Sequence, residues 1–253
     1  MSNIIFYFTG TGNSLKVARD IGAALPNCTL ISMVTPYHMT EKVDSIGFVY
    51  PVYFRGVPLA VKKFVESMDL SAASNAYLFA TATCGGSPGS GLKELNALLS
   101  AKGRTLDYGT LINMGGNYIL MYGKPDKADT ANAQADRALI GIAGEIRNKS
   151  KRPCGKSNPV STLFAEIFRK SVHKAALKYT VSDDCTSCGL CAKICPVNNI
   201  EIKGGKPVFG DHCEQCMACI QWCPGKAINY KGKTENRKRY HHPDINAQDL
   251  MRK

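Results

Sequence analysis

The chain has 253 residues, 32 Lys and Arg against 20 Asp and Glu, and a formal net charge of +12. Its composition, 44% apolar and 21% charged, supports a buried core and excludes a wholly disordered polypeptide. No apolar run approaches the roughly 18 residues of a transmembrane helix, and residues 1–3 lead straight into a strand-like run rather than a secretory signal, so a cytoplasmic protein is expected.

In chain order, residues 4–8 form an apolar strand. The spacing of Leu15, Ala18 and Ile21 predicts a helix over 14–25. Strands follow at 28–32 and 45–52. The link between them is short for a crossover helix, so only a turn or two of helix is expected there. Pro58 opens a helix over 58–68, and a strand is expected over 77–82. Gly103 closes a helix over 91–101. A strand over 105–113 and a helix over 129–148 complete the alternation. Strand–helix alternation with short connections predicts a doubly wound parallel α/β sheet over residues 1–150. Val160, Leu163, Phe164, Ile167, Phe168 and Val172 fall at helical spacing and predict a helix over 160–179 within a basic linker, 151–179. A cysteine-rich domain over 180–230 and a basic tail over 231–253 follow.

The charge and the cysteines are both unevenly placed. Net charge is +3 over residues 1–150, +6 over 151–180, −1 over 181–230 and +4 over 231–253. Of 11 Cys, eight lie between Cys185 and Cys223. In a cytoplasmic chain this density favours metal or redox chemistry over disulfides. Cys185, Cys188, Cys191 and Cys195 recur 28 residues later as Cys213, Cys216, Cys219 and Cys223, each set followed by proline, Pro196 or Pro224. Ile200 and Ile228 match as well, so two copies of one unit should pack as a pseudo-symmetric pair. Three thiolates at three-residue steps can wrap one corner of a cubane cluster, while the fourth opens a new segment. Zinc, which favours CxxC pairs separated by a longer loop, fits this pattern badly. Gly189 and Ala218 keep the ligand loops small, and Ile194, Ile200, Ile228 and Trp222 are expected to cover the clusters.

The pattern C-x2-C-x2-C-x3-C-P, twice, resembles the two-cluster bacterial ferredoxins over residues 180–230. The resemblance implies a small α+β domain with two [4Fe–4S] clusters. Cys185, Cys188, Cys191 and Cys223 would hold one, and Cys213, Cys216, Cys219 and Cys195 the other.

After the first strand comes Thr9-Gly10-Thr11-Gly12-Asn13-Ser14, a loop that offers N–H groups, hydroxyls and a helix N-terminus to an anion. It lacks the G-K-[ST] of a Walker loop, and Leu15 stands where a dinucleotide fingerprint needs its third glycine. A single phosphate, as in FMN, remains. The loop resembles that of flavodoxins, a likeness extending over residues 1–150. It implies a flavodoxin-like fold in which Pro51, Val52, Tyr53 and Phe54 after the third strand, and Thr83, Cys84, Gly85, Gly86 and Ser87 after the fourth, wrap the flavin ring. Tyr53 or Phe54 would stack on it, and Asn117 and Tyr118 are further candidates. Cys84 reads as a small half-buried thiol, and His241-His242 as tail packing. Cys28 and Cys154 have no assigned role.

The order flavodoxin-like domain, amphipathic segment, ferredoxin domain resembles the flavodoxin–ferredoxin fusions of anaerobic bacteria, the EFR1 family ferredoxin type. That resemblance implies electron transfer between low-potential carriers. Alternatives are an FMN-dependent reductase of a small organic substrate or quinone, and a redox-sensing or docking module. Two clusters at about −2 each and an FMN phosphate at about −2 leave a formal charge of roughly +6. An acidic redox protein such as a ferredoxin, a flavodoxin or an oxidoreductase is then the expected partner, with an acidic membrane surface second. Residues 231–239 are basic enough for nucleic acid, but no nucleic-acid-binding signature accompanies them, and no nucleic acid partner is expected.

Overall fold

The computed structural model describes residues 2–86, 89–121, 128–154, 169 and 172–251. The first part of the chain builds β1 (Ser2–Tyr7), α1 (Asn13–Ala23), β2 (Cys28–Ser32), β3 (Val43–Pro51), α2 (Leu59–Ser67), β4 (Tyr77–Cys84), α3 (Gly91–Ser100), β5 (Tyr108–Asn113) and α4 (Ala128–Arg147). Five parallel strands lie in the order β2-β1-β3-β4-β5. This is the flavodoxin-like doubly wound arrangement, whose ligand crevice opens between β1 and β3 where the strand order reverses.

The two faces of the sheet follow from period-2 alternation. Ile4, Phe6, Phe8, Ile46, Phe48, Tyr50, Leu78 and Ala80 point to one side, against Val61 and Val65 of α2 and Leu95 and Leu99 of α3. Ile5, Val49, Phe79 and Ile112 point to the other, against Val17, Ala18 and Ile21 of α1 and Leu139, Ile142 and Ile146 of α4. Strands buried on both faces are apolar almost throughout, as the expected parallel sheet requires.

The β2–β3 connection forms no helix. Residues 32–35 make one hydrogen-bonded turn, Thr35 N–H to Ser32 O at 3.0 Å. Ten residues that include Pro36 are too few to cross the sheet as a helix, and the segment runs irregularly instead, with Val34, Tyr37 and Met39 packed on the core. Tyr37 meets Phe6 edge-on at 5.3 Å.

The second half forms a short 3-10 helix (His173–Lys178), β6 (Tyr179–Val181), α5 (Leu190–Lys193), β7 (Ile200–Lys203), β8 (Lys206–Phe209), α6 (Ala218–Gln221) and β9 (Ile228–Tyr230). β6 pairs antiparallel with β9, and β7 with β8. The outer strands of the two repeats therefore join each other, the inner strands do likewise, and the unit has the expected pseudo-twofold form. The helix expected over 160–179 falls largely outside the described residues. Its C-terminal end tightens to a 3-10 turn and gives way to strand at Tyr179, because Tyr179 is buried edge-on against Phe209 and Tyr230 at 5.3 and 5.8 Å. Among the described residues, no helix is long and apolar enough to cross a membrane.

Gly47 on β3 lies beneath the Phe79 ring of β4, and a Cβ there would come within 2.5 Å of it. Gly47→Ala overpacks this cross-strand site and should lower the unfolding free energy by about 1–3 kcal/mol. Urea denaturation measures the loss, and an unchanged midpoint would show that Phe79 is free to move aside.

Candidate functional site

At the β1–β3 switch point lies a cavity of about 430 Å³. Its wall contains Thr9, Gly10, Thr11, Asn13, Ser14, Pro51, Val52, Tyr53, Phe54, Thr83, Cys84, Gly85, Gly86, Asn117 and Tyr118. All were singled out in the sequence. Gly12 stands behind the wall: it caps α1 with φ 98°, a left-handed turn suited to glycine. Ser87 lies outside the described residues. Arg55, which closes the loop after β3, Gln215, a spacer position of the Cys213–Cys216 motif, and Gly115, Gly116 and Met121, which no motif marks, complete the wall.

The loop is held by its own polar groups. Gly12 N–H donates to Thr9 Oγ1 at 3.1 Å, Ser14 and Thr83 share a hydroxyl contact at 2.9 Å, and Asn117 donates to Thr11 Oγ1. The Asn13 amide is spent on structure, donating to Gly115 O at 3.3 Å and accepting from Tyr240 Oη at 2.9 Å. α1 has no side-chain N-cap, so the first-turn amides, which lack intrahelical acceptors, suit an anion. Tyr53 and Phe54 both stand on the wall, and Phe54 meets Tyr118 edge-on at 5.7 Å. Cys84 is half-buried, and burial raises its thiol pKa, so it is not an activated thiolate. Burial does the same at Cys154 and pushes Cys28 up to about 11.

The loop after β3 is braced from a distance. Phe54 and Arg55 are both left-handed, with φ 47° and 65°. Arg55 O accepts from Ser90 N at 2.7 Å and Ser90 Oγ at 3.1 Å. Ser90 also binds Glu94 at 2.9 Å, and Glu94 takes a buried ion pair from Arg169 at 2.8 Å. Arg169 thus ties the basic segment to the cavity wall, one position in that segment with an internal role.

The cysteines gather into two cages. Cys185, Cys188, Cys191 and Cys223 line one small cavity, and Cys195, Cys213, Cys216 and Cys219 another. Each cage takes its fourth cysteine from the other repeat. The backbone repeats as well: Ser187 and Gln215, Gly189 and Met217, and Asn198 and Lys226 are pairwise left-handed. Amide N–H groups of Asn199 and Ala227 reach Cys195 Sγ and Cys223 Sγ, each at 3.3 Å, and that of Gln215 reaches Cys213 Sγ at 3.2 Å. Among the described residues, no three His, Cys, Asp or Glu side chains converge as a single metal ion requires. The thiols surround a volume rather than a point, with N–H donors aimed at sulfur, and this fits a cluster better than zinc. Ile228 lines the first cage and Ile200 the second. Ile194 and Trp222, expected over the clusters, pack in one group with Cys216 and Ala218 of the inner cage loop and with Leu15 and Ile245, where they also join the two halves of the chain.

The first cage is the outer one, with Cys188 exposed. The second adjoins the large cavity. A Cβ on Gly10 would clash with the Cys216 carbonyl and come within 2.9 Å of Cys216 Cβ. Trp222 Nε1 donates to Gly10 O at 3.1 Å, and Gln221 Nε2 to Asn117 O at 2.7 Å. Glu214 accepts from Leu59 N at 3.1 Å and Ala60 N at 2.8 Å, placing its carboxylate at the positive end of α2.

The tail closes over the same junction. His242 N–H donates to Thr11 O at 2.9 Å, His241 stacks on Trp222 with centroids 4.0 Å apart, and Arg19 pairs with Asp249 at 2.7 Å. Arg237 donates to Ile119 O, and Arg239 to Ile228 O and Asn229 Oδ1. Arg237 and Arg239 of the tail thus make structural contacts.

Residues 179–201 match the family described as the 4Fe-4S binding domain. No curated protein matches the chain. Among solved structures, a flavodoxin from the domain Archaea aligns at 18% identity and a TM-score of 0.37, covering 58% of this chain and 99% of its own. The Trp repressor binding protein of Bacillus subtilis aligns at 13% and 0.41, covering 60% and 100%. The flavodoxin of Megasphaera elsdenii aligns at 17% and 0.35, covering 55% and 98%. The fold assignment rests on strand order rather than on these distant likenesses.

Without clusters, burial and neighbouring thiols push Cys191 and Cys213 up to about 11 from an ordinary 9.0, and burial raises Cys216 and Cys219 well above it. Between those values the unfolded chain holds fewer protons than the folded one. Stability of the cluster-free protein is therefore fully present below pH 9.0 and is lost as pH rises toward about 11. Thermal melting of chelator-stripped protein should fall steeply across that window, and a flat midpoint would contradict the burial of these thiols.

Proposed function

We propose that this protein transfers electrons between low-potential carriers by way of two [4Fe–4S] clusters and a bound FMN, as a flavodoxin–ferredoxin fusion of the EFR1 type. The observation that carries the reading is the direct contact of Cys216, in the inner cage, with Gly10 in the wall of the large cavity. When bound, the clusters supply one-electron chemistry and FMN one- or two-electron chemistry, so the combination converts between carriers of different stoichiometry.

The residues divide the work. The outer cage, with Cys188 exposed, is where an external carrier can approach. N–H groups directed at Cys195, Cys213 and Cys223 stabilise charge on sulfur. The α1 N-terminus and the hydroxyls of Thr9, Thr11 and Ser14 would hold the FMN phosphate, and the two flanking loops its ring. Fusion of the halves replaces a diffusional encounter with a fixed contact. An acidic redox protein is the proposed partner, steered by the basic excess.

A second reading, reduction of a small organic acceptor or quinone, is favoured by one observation. Met121 lines the cavity while 72% exposed, so the cavity reaches solvent.

Anaerobically purified protein should contain about eight Fe and one FMN per chain. After rapid reduction of the clusters, flavin bleaching should proceed at a rate independent of protein concentration across a dilution series. A rate proportional to concentration would mean that electrons pass between molecules and would refute the internal relay.

A further inference from the structure

Gln215 occupies an unusual position between the two sites. It lies between Cys213 and Cys216 in the ligand loop of the inner cage, in a left-handed conformation with φ 49°. Its backbone N–H donates to Cys213 Sγ at 3.2 Å. Its side chain leaves the cage and forms part of the wall of the large cavity, although every other wall residue comes from the first half of the chain. There Tyr118 Oη donates to Gln215 Oε1. Tyr118 lies on the same wall. With the oxygen engaged, the carboxamide is oriented, and among the described residues Nε2 has no protein acceptor. The residue as a whole is only 7% exposed, and its carboxamide end faces the cavity, where a ligand could accept from Nε2.

Its counterpart in the other repeat shows that the cage itself does not require glutamine. Ser187 has the same left-handed backbone, φ 55°, but is exposed and faces the outer cage. A cage loop thus accepts a short side chain at this position, and the longer carboxamide reaches a cavity that only the inner cage adjoins.

We propose that Gln215 is a positioning residue shared by the two redox sites, with its backbone N–H on a cluster ligand and its side-chain Nε2 donating to the flavin. Resting on the FMN reading above, the inference adds that a residue of the ferredoxin half helps to seat the flavin and to set its potential. A donor to the ring favours the electron-rich reduced form, so its loss makes reduction harder.

The test uses the full chain carrying its clusters. Flavin-stripped protein is titrated with FMN by fluorescence, and the flavin midpoint is followed by spectroelectrochemistry, with cluster EPR as the internal control. Gln215→Leu, similar in volume but without hydrogen bonds, should weaken FMN binding about tenfold and shift the midpoint negative, leaving cluster signals unchanged. Tyr118→Phe, which removes the orienting hydroxyl without touching the cage, should move both readouts the same way by a smaller factor. If Gln215→Leu costs the clusters, Tyr118→Phe decides alone. Unchanged affinity and midpoint in a wild-type background that binds FMN would overturn the role of Gln215 and leave the FMN reading standing. Failure of the wild-type chain to bind FMN would overturn both.

Discussion

The structure depends on one close approach: the missing side chain of Gly10 and the Cys216 backbone that occupies its place. Any larger residue would force the inner cage away from the cavity. The contact is reinforced on every side. Trp222 donates to Gly10 O, Gln221 to Asn117 O, and Glu214 anchors α2. Apolar packing of Leu15, Ile194, Trp222 and Ile245 lies behind it. The two halves meet through an interface of named polar contacts and an apolar cluster, and the two cavities described above sit beside it. This is the placement that a relay requires, because a fixed separation removes the search for a partner.

The tail changes the meaning of the charge. As a sequence, residues 231–253 are a basic extension. In the folded chain Arg237 and Arg239 satisfy carbonyls around the junction, Tyr240 connects Asn13 to Asn132, and His242 is nearly buried against Thr11. Tyr240 and His242 hold the loop of residues 9–14 from behind. Part of the +12 is therefore committed internally, as Arg169 also is in its ion pair with Glu94. A smaller basic excess than the formal count is left for the proposed steering of an acidic carrier.

Much of this architecture was legible because it is local. Strand β2 begins and ends where the apolar run does, and the other elements of the first half match to within a few residues, since periodicity and Gly or Pro punctuation act over short distances. The 28-residue repeat announced two equivalent loops, and the backbone at Ser187 and Gln215 repeats accordingly. The unread features all depend on long-range contacts. Ile194 and Trp222 read as cluster cover, and only folding shows that α1 and the tail pack against them too. Gln215 is a spacer position within the cysteine motif, and only the docking of the two halves brings it to the cavity. Glu94 and Arg169 are ordinary charged residues, 75 positions apart, until folding buries them together. The β2–β3 link keeps only one turn because ten residues with a proline can cover an edge without helix.

The most direct measurement is a crystal structure of the anaerobically purified holoprotein, with anomalous scattering recorded across the iron edge. The account predicts two iron peaks per chain, one inside Cys195, Cys213, Cys216 and Cys219 and the other inside Cys185, Cys188, Cys191 and Cys223. Flavin density should fill the neighbouring cavity, with its phosphate at the N-terminus of α1. Zinc in place of iron, or an inner iron site separated from the cavity by a displaced Gly10 loop, would contradict it.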